Sequence, residues 1–84
     1  MDFQLLTELI QSNINDAKVQ VTDLTGGGDH LGLLVVSDVF KGKMLIAQHQ
    51  MIMDILKEKL KQELHAVQIK TMTHDQATER GINI

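Results

Sequence analysis

Apolar and polar positions along the chain change period several times, and each change marks an element. Leu5, Leu6, Leu9 and Ile10 recur at helical spacing, with Ile14 closing the same face. This predicts a helix over about residues 3–13. Asp2 stands where an N-cap belongs, and the polar run from Asn13 to Asp16 supplies the stop. Lys18 to Leu24 then alternates and is rich in β-branched residues, the pattern of a half-buried strand. Leu31 to Ser37 is an almost unbroken apolar run, too short for a helix. It predicts a strand buried on both faces or placed centrally. Gly32 within it marks a bulge or a close backbone approach.

Ser37 to Lys43 reads as a connection anchored by Phe40, with Gly42 in a turn conformation. The longest periodic segment follows, from about Met44 to Leu64. Leu45, His49, Ile52 and Leu56 form one stripe, flanked by Met51, Ile55 and Leu60. Gln48, Asp54, Lys57, Lys61 and Glu63 lie mostly elsewhere, so the segment predicts an amphipathic helix. Ala66 to Thr71 alternates again, with Val67 and Ile69 inward. Thr73 and Gln76 have capping-box spacing, which places a short helix at about residues 74–80, ended by Gly81. The order α-β-β-α-β describes one α+β domain over residues 1–84, with helices covering one face of a small mixed sheet.

Composition narrows the chemistry. With 84 residues and two aromatics, Phe3 and Phe40, the core must be aliphatic. A net charge of −3 is a poor footprint for general nucleic-acid binding. Lys41 and Lys43 are the nearest candidates for a local basic patch, while Lys57, Lys59 and Lys61 alternate with Glu58 and Glu63 as a solvated face. There is no cysteine, so the chain offers no disulfide and no thiolate. Any soft metal centre would draw His or carboxylate from this chain and sulfur from a partner. No apolar run approaches the ~18–20 residues of a membrane span. The start, Met-Asp-Phe-Gln, has neither signal-peptide nor transit character, and a cytoplasmic location is expected. No Ser/His/Asp arrangement, Walker loop or dinucleotide fingerprint recommends an enzyme.

The stretch Thr25-Gly26-Gly27-Gly28-Asp29-His30 lies between the first two strands. Its glycines free the backbone and let another molecule approach closely. On its own, such a run is as often a loose hairpin, with Asp29 as a turn residue. The four histidines divide by context. His30 is a loop residue expected to be exposed. His65 closes the long helix, where a cationic ring suits the macrodipole. His49, on the apolar stripe, reads as a structural residue hydrogen-bonded to backbone. His74 reads as surface, with no partner at ligand spacing.

Five segments taken together resemble the BolA family: Thr25 to His30; Val35-Val36-Ser37; Phe40-Lys41-Gly42-Lys43; Gln48-His49-Gln50; and Leu64-His65-Ala66-Val67-Gln68-Ile69-Lys70. The resemblance runs from about Leu5 to Thr73, leaving residues 74–84 as a C-terminal tail or short helix. It implies a class II KH-like fold, in agreement with the element order above. It further implies a partner, a monothiol glutaredoxin with its glutathione, and a shared 2Fe–2S cluster. On this chain the ligand before the last strand falls at His65 and the hairpin-loop ligand at His30. Gly26, Gly27, Gly28 and Asp29 would then form the surrounding loop surface. The role implied is iron–sulfur trafficking or iron and redox regulation, without catalysis. Some members are linked to transcriptional control, so a KH-like nucleic-acid-binding regulator stands as the alternative, with Lys41, Gly42 and Lys43 as its surface. A homodimer of the free protein stays open. The sequence departs from the family at Leu31 and Gly32, at Gln48, and at the tail Thr73-His74-Asp75-Gln76-Ala77.

Overall fold

The structure is a computed structural model that describes residues 3–26, 30–57 and 67–82. Helix α1 spans Phe3–Asn13, and strands β1 and β2 span Lys18–Asp23 and Leu31–Val36. A 3-10 turn at Asp38–Phe40 leads to α2, Leu45–Leu56, then to β3, Val67–Met72, and α3, His74–Glu79. The sheet order is β1-β2-β3. β1 runs antiparallel to β2, and β3 runs parallel to it. This is the α+β arrangement expected from the chain. The proposed cap Asp2 and the continuation of α2 to Leu64 lie outside the described residues.

The core is aliphatic apart from Phe40, and the periods explain it. On α1, Leu6, Ile10 and Ile14 are buried at a spacing of four, while Leu5, one position before Leu6, turns outward. β2 is the central strand, so it is covered on both sides. Leu31, Leu33 and Val35 face α1 and α2 in the main cluster, together with Phe40, Ile52 and Leu56. Leu34 and Val36 point the other way, where Val36, Met72 and Ala77 form a smaller cluster with Ile82. The two long helices thus cover one face, and α3 seals the end of the other. Gly32 marks a close approach rather than a bulge: the ladder runs unbroken past it, and a Cβ there would sit 3.2 Å from Leu24 Cδ2.

Local chemistry fixes the connections. Ser37 caps the 3-10 turn by accepting from the Val39 N–H. Gly42 takes φ +75°, the left-handed turn conformation predicted for it. At α3 the capping box forms as spaced: Thr73 Oγ1 accepts from the Gln76 N–H, and Gln76 Oε1 accepts from the Thr73 N–H. Gly81, at φ +70°, ends the helix in a Schellman arrangement, with Ile82 N donating to the Ala77 carbonyl and Gly81 N to the Thr78 carbonyl.

One expectation about α2 is overturned. The sequence pattern places Gln48 away from the apolar stripe, yet it is 7% exposed, while Leu45 of the stripe is 63% exposed. Gln48 Nε2 donates to the Lys43 carbonyl at 2.8 Å and to the Phe40 carbonyl at 3.4 Å, and its Oε1 accepts from Thr71 Oγ1 at 2.6 Å. With both ends of the amide satisfied, its burial costs little. Leu45 lies in the first turn of α2, outside the main cluster.

Candidate functional site

The hairpin that carries the glycine run is braced at both feet. Asp23 Oδ1 accepts from the N–H groups of Thr25 (3.3 Å) and Gly26 (2.9 Å), and Gly26 adopts φ +81°. Opposite, the Leu24 N–H donates to the His30 carbonyl at 2.8 Å. The mouth of the loop is therefore fixed by backbone and Asp23, leaving the His30 ring exposed and without a hydrogen-bond partner among the described residues. Such an imidazole is chemically available as a ligand. Gly27, Gly28 and Asp29 lie outside the described residues.

His65 also lies outside the described residues. The ladder supplies the nearest fixed point. Leu31, directly after His30, pairs with Val67, the first residue of β3. The backbone at the base of the loop and the start of β3 thus share one end of the sheet.

The remaining candidates are placed as follows. His49 is half-buried beside Gln48, but among the described residues its ring makes no hydrogen bond, contrary to expectation. Lys41 Nζ lies 3.8 Å from carboxylate oxygens of both Asp38 and Asp75, so its charge is partly answered within the chain. Gly42 turns the backbone beside it, and Lys43 remains exposed.

His74 is the clear correction. Its Nε2 lies 3.0 Å from the Asp16 carbonyl and 3.4 Å from Asp16 Oδ2. The His74 N–H donates to Asp38 Oδ1 at 3.2 Å. Asp16 accepts in turn from the Ser37 hydroxyl and, at 2.8 Å, from the Asp38 N–H. Asp16, Asp38 and His74 each bring a potential ligand atom within 4.8 Å of the others. As arranged, they form a hydrogen-bonded clasp joining the α1–β1 turn, the 3-10 turn and α3. His74 and Asp16 are 58 residues apart, and no local spacing could have announced their contact.

The clasp has a consequence for stability. The Ser37 hydroxyl, then the Asp38 N–H, hold the Asp16 carboxyl below the usual carboxylate value. A depressed folded pKa contributes stability that is present above the unfolded value, near 3.9, and is lost as pH falls through the folded value. Urea midpoints measured from pH 7 downward should therefore drop more steeply below about pH 4 in the wild type than in Asp16→Asn. Parallel slopes would show that the carboxylate adds nothing.

A three-stranded mixed sheet carrying helices in the order α-β-β-α-β, with a braced glycine loop at its first hairpin, defines a small α+β class. The family model for BolA-like proteins matches residues 5–76, and the chain belongs to this family. An uncharacterised protein of Rickettsia prowazekii is 32% identical over 68 residues, covering 81% of this chain and 88% of its own. The BolA domain of SufE1 from Arabidopsis thaliana superposes with a TM-score of 0.74 at 31% identity, over 87% of this chain and 92% of that one. Yeast Fra2 gives a TM-score of 0.73 at 33% identity, over 94% and 86% respectively. Among the described residues no helix is long and apolar enough to cross a membrane.

Proposed function

We propose that this protein is a binding module that pairs with a monothiol glutaredoxin and its glutathione, and co-ligates a 2Fe–2S cluster through His30 and His65. Its role is to hand on or sense a cluster, not to catalyse a reaction. The observation that carries this reading is the exposed His30 ring, without a hydrogen-bond partner among the described residues, on a loop whose mouth is braced, at the end of the sheet where β3 begins. Membership of the BolA-like family supports it.

The chain has no cysteine, so all thiolate sulfur must come from the partner. Imidazole is a suitable nitrogen ligand for iron, and replacing thiolate by His raises the potential of such a centre.

Visible circular dichroism of the glutaredoxin–glutathione cluster, titrated with this protein, tests the reading. A new spectrum that saturates at one equivalent is expected. It should be abolished by His65→Ala and altered by His30→Ala. A spectrum unchanged by the titration, or indifferent to both substitutions, would overturn the reading.

A further inference from the structure

β3 is an edge strand, and the direction of its free backbone groups can be read from one hydrogen bond. Ser37 N donates to the Met72 carbonyl at 3.0 Å, so Met72 turns its backbone toward β2. Alternation along a parallel strand then turns Lys70 the same way and Ile69 and Thr71 outward. Among the described residues no strand pairs with that outer side. Thr71 is buried and bonded to Gln48, which leaves Ile69 as the open rung.

A groove of about 710 Å³ runs along this edge, between the start of α2 and α3. Its charge is one-sided. Lys43, Lys70 and Arg80 line it, and among the described residues no carboxylate does. None of the three is ion-paired among the described residues, in contrast to Lys41. Three cations without an ion pair among the described residues are thus concentrated in one groove of a chain whose net charge is −3. The rest of the wall mixes apolar side chains with neutral polar ones such as Gln20, Gln48 and Gln76. Leu45 and Ile82 line the groove, and Ile46, next to Leu45, is 77% exposed.

We propose that this groove docks an extended, acidic segment of a partner protein, one that alternates carboxylates with apolar side chains. The segment adds to the β3 edge through Ile69; its carboxylates, on the face shared with α3, meet Lys70 and Arg80, and its apolar side chains, on the other face, lie on Leu45 of α2. Edge addition supplies backbone hydrogen bonds, and alternate pockets supply selectivity. Charge complementarity steers the approach and selects against basic partners. Single-stranded nucleic acid is the weaker fit, because among the described residues no Phe, Tyr or Trp lines the groove and only the His49 ring is there to stack a base. The groove centres on the end of β3 remote from the His30 loop. At roughly 3.3 Å per residue, the two ends of β2 are about 17 Å apart. The groove's own residues do not include His30, so the proposal does not depend on the cluster.

The test is amide NMR of the isotope-labelled full chain with a synthetic octapeptide, Glu-Val-Asp-Ile repeated once. Shifts are expected at Ile69, Thr71 and the first turn of α2. Lys70→Glu combined with Arg80→Glu should weaken binding by about tenfold or more while leaving amides outside the groove in place. The same peptide with lysine for each acid should leave the spectrum unchanged. The proposal fails if the acidic peptide leaves the groove amides unmoved, or if both peptides shift them alike. It also fails if an oligothymidylate shifts them and the peptide does not. Groove shifts on diluting the protein alone would instead assign the edge to a second copy of this chain.

Discussion

Replacing Gln48 by leucine is expected to cost about 2–4 kcal/mol, although the change swaps a polar side chain for an apolar one of similar size in a buried place. The reason lies in what remains behind. Thr71 Oγ1 loses its acceptor, and the Lys43 carbonyl loses its donor. The Phe40 carbonyl is less affected, because it also accepts from the Lys43 N–H at 3.1 Å. Each group left unsatisfied away from water costs about 1–3 kcal/mol, which exceeds the gain from burying leucine at the same point. Thr71→Val added to Gln48→Leu removes one of the orphans. The double variant should then be more stable than the sum of the singles by about 1 kcal/mol. Urea unfolding of the four proteins completes the cycle. A Gln48→Leu protein as stable as the wild type would show that the amide is not what ties the start of α2 to β3.

What the chain disclosed and what it withheld follow from the range of the interactions. β1, β2 and β3 were legible because alternation and continuous apolar runs are written in consecutive residues. The α3 cap was legible because Thr73 and Gln76 satisfy one another three residues apart. Gly42 was legible because its turn is local. Gln48 is a different case. On a wheel of about 100° per residue it falls between Ile55 and Ile52, inside the buried face. Its polarity argued for solvent, and its acceptor role for Thr71, 23 residues on, could not be seen. The contact of His74 with Asp16 and the groove beside β3 are further from the sequence still. Each exists only once three elements are assembled. For the proposed cluster site, the sequence and its family resemblance name both histidines, and the structure adds the braced mouth and the exposed ring of His30.

Ile52 and Leu45 stand seven residues apart on one stripe of α2, and the same truncation should affect them very differently. Ile52 has no exposed surface and lies in the main cluster, so Ile52→Ala is expected to cost about 2–5 kcal/mol through lost transfer energy and a residual cavity. A domain of this length has roughly 4–13 kcal/mol in total, so the loss should be plain in both the urea midpoint and the melting temperature. Leu45→Ala should stay within about 0.5 kcal/mol of the wild type, because that side chain is 63% exposed. The same substitution should nonetheless weaken the acidic octapeptide, since Leu45 is a wall of the groove. A residue that is dispensable for folding but needed for docking is what a binding surface requires, and an apolar stripe read along the chain cannot distinguish the two uses. If Leu45→Ala instead destabilised the fold as much as Ile52→Ala, the first turn of α2 would belong to the core, and the groove would lose its apolar wall.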